Sequence, residues 1–157
     1  MERLTSTGSL SRRQLGIGAA AALVALAAPG SLPAQDQQQA WEQALKRILG
    51  DAKPSEGKLA LELPEIAENG NTVPFSVAVE SPMTEKDHVR AIHVLATANP
   101  QPGVATFRFA PISGKAAVSS RMRLARTQDV IAVAELSDGR FLMGKRNVKV
   151  TIGGCGG

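Results

Sequence analysis

Residues 72–80 read T-V-P-F-S-V-A-V-E, and their apolar side chains fall on every second position. Val73, Phe75, Val77 and Val79 therefore share one face of an extended chain. Side chains alternate across a strand, whereas a helix would repeat its apolar positions every three or four residues. The stretch predicts a β-strand with one face buried.

The same period recurs on both sides of it. K-L-A-L-E-L (58–63) aligns Leu59, Leu61 and Leu63. R-A-I-H-V-L-A-T (90–97), V-A-T-F-R-F-A (104–110), A-A-V-S-S-R-M-R-L (116–124) and V-I-A-V-A-E-L (130–136) read as further strands. R-F-L-M (140–143) and N-V-K-V-T-I (147–152) complete the set, the last placing Val148, Val150 and Ile152 on one face. Turn-forming residues separate them: E-N-G-N (68–71), S-P-M-T (81–84), N-P-Q-P-G (99–103), P-I-S-G (111–114) and S-D-G-R (137–140). Asp138-Gly139 between two apolar runs is a strong hairpin signal. About eight short strands without alternating helices predict an all-β fold, an immunoglobulin-like antiparallel β-sandwich spanning 58–152. Antibody-type domains are excluded by the lack of a Cys–Trp–Cys pattern, and propellers by the lack of internal repeats.

One segment keeps the helical period. In D-Q-Q-Q-A-W-E-Q-A-L-K-R-I-L-G, Ala40, Trp41, Ala44, Leu45, Ile48 and Leu49 form an apolar stripe, and Gly50 stands where a C-terminal cap belongs. An amphipathic helix is expected over 35–50. The alanine-rich strands imply a thin core, to be finished by this helix or by another subunit.

The first 34 residues have a different character. Arg12-Arg13 precede an uncharged run of small apolar residues (16–28), followed by Pro29, Gly30, Pro33 and Ala34. A charged start, an apolar core too short to span a bilayer and a small-residue exit describe a cleavable export signal. The arginine pair before a weakly hydrophobic core reads as a twin-arginine signal, with a periplasmic destination and no membrane anchor after cleavage. Cleavage near Ala34 leaves about 123 residues, enough for one domain with a real core. It removes three arginines and one glutamate, so the formal charge falls from +4 to about +2. With no basic block and few aromatics left, nucleic-acid binding is not expected.

The domain itself offers little chemistry. Arg121, Arg123 and Arg126 flank Met122 and Leu124, as on the solvated face of a strand, with an anion or partner patch as the alternative. His93 sits within an apolar strand as a structural histidine, and His88 beside Asp87 reads as loop. No phosphate loop, metal-ligand spacing or nucleophile–base signature is present.

The chain ends G-G-C-G-G (153–157), and Cys155 is its single cysteine. It cannot form an internal disulfide, and an odd cysteine in an exported protein points to intermolecular pairing or a free reactive thiol. Gly153, Gly154, Gly156 and Gly157 are expected to make a thin, flexible arm. Three residues past Ile152, the Cys155 backbone can reach about 10 Å. No helix N-terminus or cation in the sequence activates the thiol, and the Gly157 carboxylate disfavours the thiolate, so a base or oxidant must come from elsewhere. Residues alone leave several readings open: a covalent carrier, an exported structural protein dimerising through a C-terminal disulfide, or a redox enzyme lacking its resolving cysteine. The terminal diglycine is also similar to that of ubiquitin-like sulfur carriers, whose activation needs ATP.

The ending V-T-I-G-G-C-G-G resembles the C-terminal signature of the SoxY family, carrier subunits of the periplasmic thiosulfate-oxidising system. The resemblance extends to E-N-G-N-T-V-P (68–74), S-P-M (81–83), N-P-Q-P (99–102) and the run from Arg121 through Ala134 to Ser137-Asp138-Gly139. It implies a non-catalytic scaffold, without a cofactor of its own, that carries sulfur intermediates covalently on Cys155. A SoxAX-like haem enzyme would load thiosulfate as a cysteine S-thiosulfonate. A SoxB-like dimanganese hydrolase would release sulfate, and a SoxCD-like sulfane dehydrogenase would oxidise the sulfur left behind. The resemblance also implies a heterodimer with a SoxZ-like subunit, and the strands near Val77 and Val94 are expected to contribute to that contact.

Overall fold

A computed structural model describes residues 34–153 of the chain. Its first element is helix α1, Ala34–Leu49. Asp36 in its first turn and Lys46 and Arg47 in its last complement the helix dipole. Gly50 closes it: at φ 60° its N–H donates to the Lys46 carbonyl at 2.8 Å, a left-handed cap that costs glycine no Cβ clash.

Eight strands follow: β1 Leu59–Glu62, β2 Ile66–Ala67, β3 Val73–Val79, β4 Val89–Ala96, β5 Gly103–Arg108, β6 Ala116–Met122, β7 Gln128–Leu136 and β8 Phe141–Val150. They form two sheets, β1-β3-β6 and β2-β8-β7-β4-β5. Every pairing is antiparallel except that of β2 with β8. The alternation that predicts β3 is matched by its burial, with Val73, Phe75, Val77 and Val79 all inside. Pro74 is tolerated in this middle strand because β1 pairs only with Ser76–Val79, leaving β3 one neighbour at the proline.

The sheets enclose a core in which Ile92, Val94, Val130, Ala132, Leu124 and Val148 are completely shielded. β4 and β7 are apolar on their second face too. There Leu95, Ile131 and Val133 form a separate cluster, covered by Trp41, Ala44, Leu45, Ile48 and Leu49 of α1. The helix is thus a third layer on the five-stranded sheet, which answers how the thin core is finished on that side.

Three features depart from the sequence reading. R-F-L-M and N-V-K-V-T-I are not two strands: β8 runs unbroken through Gly144-Lys145-Arg146. A Cβ at Gly144 would lie 2.8 Å from Leu59 Cδ2, so this glycine permits close approach of β1 and does not interrupt the strand. Strand β2, two residues long, has too few positions to show a period. Ile152 does not continue the face of Val148 and Val150, because β8 ends at Val150 and Ile152 is 67% exposed.

Between β7 and β8 the expected hairpin forms. Gly139 takes φ 84°, its N–H donates to the Leu136 carbonyl at 3.1 Å, and Leu136 N–H donates to the Arg140 carbonyl at 2.9 Å. Asp138 accepts from the Arg140 backbone and side chain at 3.0 and 2.6 Å, contacts that hold its carboxyl below the usual range.

Candidate functional site

The described chain leads to the GGCGG terminus through Thr151, Ile152 and Gly153. Gly154, Cys155, Gly156 and Gly157 lie outside the described residues, as do Arg12 and Arg13. The structure therefore defines the root of the C-terminal segment, Thr151 to Gly153.

That root is held by three segments that meet at one end of the sandwich. β8 first pairs with β2, and beyond it the Thr151 N–H donates to the Ala67 carbonyl at 3.1 Å. The Thr151 hydroxyl donates to the Glu68 carbonyl at 2.9 Å. The turn at 68–71 then crosses over: Gly70 N–H donates to Ile152 O at 2.7 Å, and Gly70 O accepts from Leu124 N–H at 2.8 Å. The third segment, residues 123–127 after β6, lies directly against Gly153. A Cβ built on Gly153 would be 2.2 Å from the Ala125 carbonyl oxygen. The first glycine of the motif is thus a packing glycine, required by a backbone approach that no other residue permits.

A polar pair beneath the root holds the 123–127 segment in place. Asn99, 9% exposed, donates from Nδ2 to the Arg123 carbonyl at 2.8 Å and accepts from Ala125 N–H at 2.9 Å. Gln128, 4% exposed, donates to Asn99 Oδ1 at 2.9 Å and to the Arg126 carbonyl at 3.0 Å, and accepts from Ala98 N–H at 2.7 Å. Thr127 adds a bond to β8, its hydroxyl accepting from Val150 N–H at 3.0 Å. The amide nitrogen and oxygen of both residues have partners, as buried polar groups must if they are not to destabilise the fold. Neither was legible as a functional residue. Asn99 reads as part of a Pro/Gly turn and Gln128 as one position in the run from Arg121 to Ala134, neither with a role of its own, and what singles them out is that they meet across 29 residues.

Other sequence-predicted residues lie elsewhere. Arg121, Arg123 and Arg126 are all exposed, Arg121 on β6 and the other two within the segment that meets Gly153. His93 is half-buried on β4 with Nδ1 3.0 Å from Thr106 Oγ1, and burial lowers its pKa. His88 precedes β4, with Nδ1 3.0 Å from the Thr84 carbonyl oxygen. Val77 and Val94 face the core between the sheets, 1% and 0% exposed, so any partner contact from those strands would use other residues. Among the described residues no three His, Cys, Asp or Glu side chains come together. No described helix is long and apolar enough to cross a membrane.

The family described as "Sulfur oxidation protein SoxY" matches residues 45–155. The solved structure of the sulfur carrier protein SoxY from Chlorobium limicola f thiosulfatophilum resembles this chain with a TM-score of 0.61 at 34% identity, over 73% of this chain and 98% of that one. A superoxide reductase (neelaredoxin) from Ignicoccus hospitalis has a TM-score of 0.54 at 16% identity, over 60% of this chain and 80% of its own, a likeness of fold alone. None of the curated proteins matches the chain in sequence.

Proposed function

The chain belongs to the SoxY family of sulfur oxidation proteins, and from that premise we propose that it holds sulfur intermediates covalently on Cys155 and presents them to partner enzymes. The observation that carries this reading is that the family match runs through residue 155, the single cysteine of the chain. The root geometry supports it. Gly153, two residues before Cys155 in the chain, is held against the Ala125 carbonyl, so the segment that bears the cysteine follows directly from a fixed point of the sandwich.

The chemistry divides accordingly. Coupling thiosulfate to Cys155 forms a sulfur–sulfur bond and releases two electrons, which a SoxAX-like haem partner accepts. Water then cleaves the terminal sulfone in a SoxB-like dimanganese hydrolase, releasing sulfate and leaving a persulfide. A SoxCD-like dehydrogenase oxidises that remaining sulfur. This chain contributes attachment and delivery. It works in the periplasm as a heterodimer with a SoxZ-like subunit, after export by the twin-arginine route directed by Arg12 and Arg13.

Intact-mass spectrometry of the mature protein from cells fed thiosulfate tests the reading. Reductant-sensitive additions of sulfur or of a thiosulfonate group, mapping to the C-terminal peptide and absent from Cys155→Ser, are expected. A single unmodified mass, or only a disulfide-linked homodimer, would replace the carrier with the structural reading.

A further inference from the structure

A strand at the edge of a sheet exposes unpaired backbone N–H and C=O groups, and folds normally blunt such edges. Among the described residues the two sheets have four edges, and three of them are blunted. β2 is two residues long. β5 is offset by a register shift at Val94–Leu95 of β4, and its residues 103–106 share one cavity with Ala44, Arg47 and Ile48 of α1. β1 is closed by β8, where Arg146 Nε donates to the Leu61 carbonyl at 3.4 Å. β6 has none of these devices. Its seven residues, Ala116–Met122, pair with β3 in unbroken register and contain no proline, no glycine and no charge before Arg121. Among the described residues nothing pairs with its other edge, and Ala117, Ser119, Ser120 and Arg121 are exposed.

The charge around this edge has one sign. Residues 88–128, from just before β4 to the start of β7, contain six arginines and lysines and no Asp or Glu. Lys115 precedes β6, Arg121 lies near its end and Arg123 follows it. All three are exposed, and none takes part in an ion pair among the described residues. The carboxylates of the same sheet, Glu62 on β1 and Glu80 just past β3, belong to the paired side of β6 and not to its open edge.

We propose that β6 accepts an acidic β-strand from another protein, lengthening the sheet to β1-β3-β6-partner. The incoming strand satisfies the outward backbone groups, because alternate residues of an antiparallel strand direct N–H and C=O to each side. Asp or Glu near its two ends meets Lys115 at one end of β6 and Arg121 and Arg123 at the other, and opposite charges across a strand pair are favourable. A second copy of this chain is the wrong occupant. Antiparallel pairing of two β6 strands sets Lys115 of one beside Arg121 or Arg123 of the other, and like charges across a pair are destabilising. Nor can β6 take the β1 edge of a copy, because β8 already closes it. The proposal does not depend on the carrier reading.

Amide exchange followed by NMR on the full mature chain tests this. The probes are two peptides of about seven residues that alternate Thr and Val, one ended by Glu at both termini and the other by Lys. At low ionic strength the Glu-ended peptide should bind about fivefold more tightly, by a margin that shrinks as salt is added. At saturation it should slow exchange of the amides within Ala116–Met122 that do not pair with β3 by about tenfold. Lys115→Glu/Arg121→Glu/Arg123→Glu should reverse the preference between the peptides. Lys149→Glu, which removes an exposed lysine of β8 in the other sheet, should change it by less than about twofold. Binding by neither peptide, equal binding of the two, or protection that falls elsewhere than on β6 overturns the proposal, and the parent chain decides this without any variant. Protection of the same amides that grows with the concentration of the chain alone also overturns it, and identifies a second copy as the occupant.

Discussion

At the scale of single residues, the first glycine of the terminal motif and the amide pair beneath it share one structural role, holding the end of β8 against the 123–127 segment. Gly153→Ala places a methyl group against the Ala125 carbonyl, and the root relieves the clash by moving off that carbonyl. Because this happens at the end of the chain, Tm should change by only about 2 °C. Local protection should respond more. Hydrogen exchange at the Gly70 amide, which donates to Ile152 O, should accelerate by about fivefold, the loss of roughly one hydrogen bond. Gly103→Ala, at a site with open space around the added Cβ, is the control and should leave that amide unaffected. Asn99→Ala acts at greater depth. It strands Ala125 N–H, the Arg123 carbonyl and one Gln128 bond at once, at a cost of about 2–4 kcal/mol. A thermal melt should show a fall on the order of 10 °C. The terminal cysteine and its glycines were plain in the sequence. The amide pair was not, since a satisfied buried Asn leaves no local pattern and is specified only by the fold that brings residue 128 to it.

Among the elements, legibility followed the number of residues that repeat a pattern. β3 carries four alternating apolar side chains and was fully readable, whereas β2 has two residues and depends on β8 for its existence. β4 and β7 illustrate a different limit. Their apolar runs identify strands, but which side chains face the other sheet and which face α1 emerges only from packing. His93 shows the consequence, since it lies half-buried on the helix-side face of β4, lining one cavity with Ala44, Arg47 and Ile48 of α1. Burial lowers its pKa below the ordinary 6.5, with Arg108 adding to the effect and Glu135 opposing it. The neutral ring is therefore favoured in the folded state, and the unfolded chain takes up the proton first. Its contribution to stability is present above about pH 6.5 and declines as pH falls from there through the lowered folded value. His93→Gln should flatten the dependence of Tm on pH between about 7 and 5 relative to the parent chain. Parallel slopes for the two proteins would show that the ring does not carry the effect.

For the domain between residues 34 and 153, the open question is whether α1 is integral to the sandwich or only laid upon it. The contacts favour integration. Leu95, Ile131 and Val133 are buried by the helix, and without it three large apolar side chains of the two central strands would face water. At about 25 cal/mol per Å² of apolar surface, that exposure costs several kcal/mol, a large fraction of the stability of a domain this size. The helix and sheet should therefore unfold together. The sequence provides its own probe, because Trp41 is the single tryptophan and sits within the helix–sheet cluster, so its emission reports docking of α1 alone. Far-UV circular dichroism reports chiefly the strands of both sheets together with the helix. In a urea titration the two signals should give the same midpoint within about 0.3 M. Trp41→Ala should lower that midpoint by weakening the whole domain, by roughly 2 kcal/mol for a half-buried ring. Emission that shifts well before the dichroism would identify α1 as a separately melting layer, and the apolar face of β4 and β7 would then be available to another subunit.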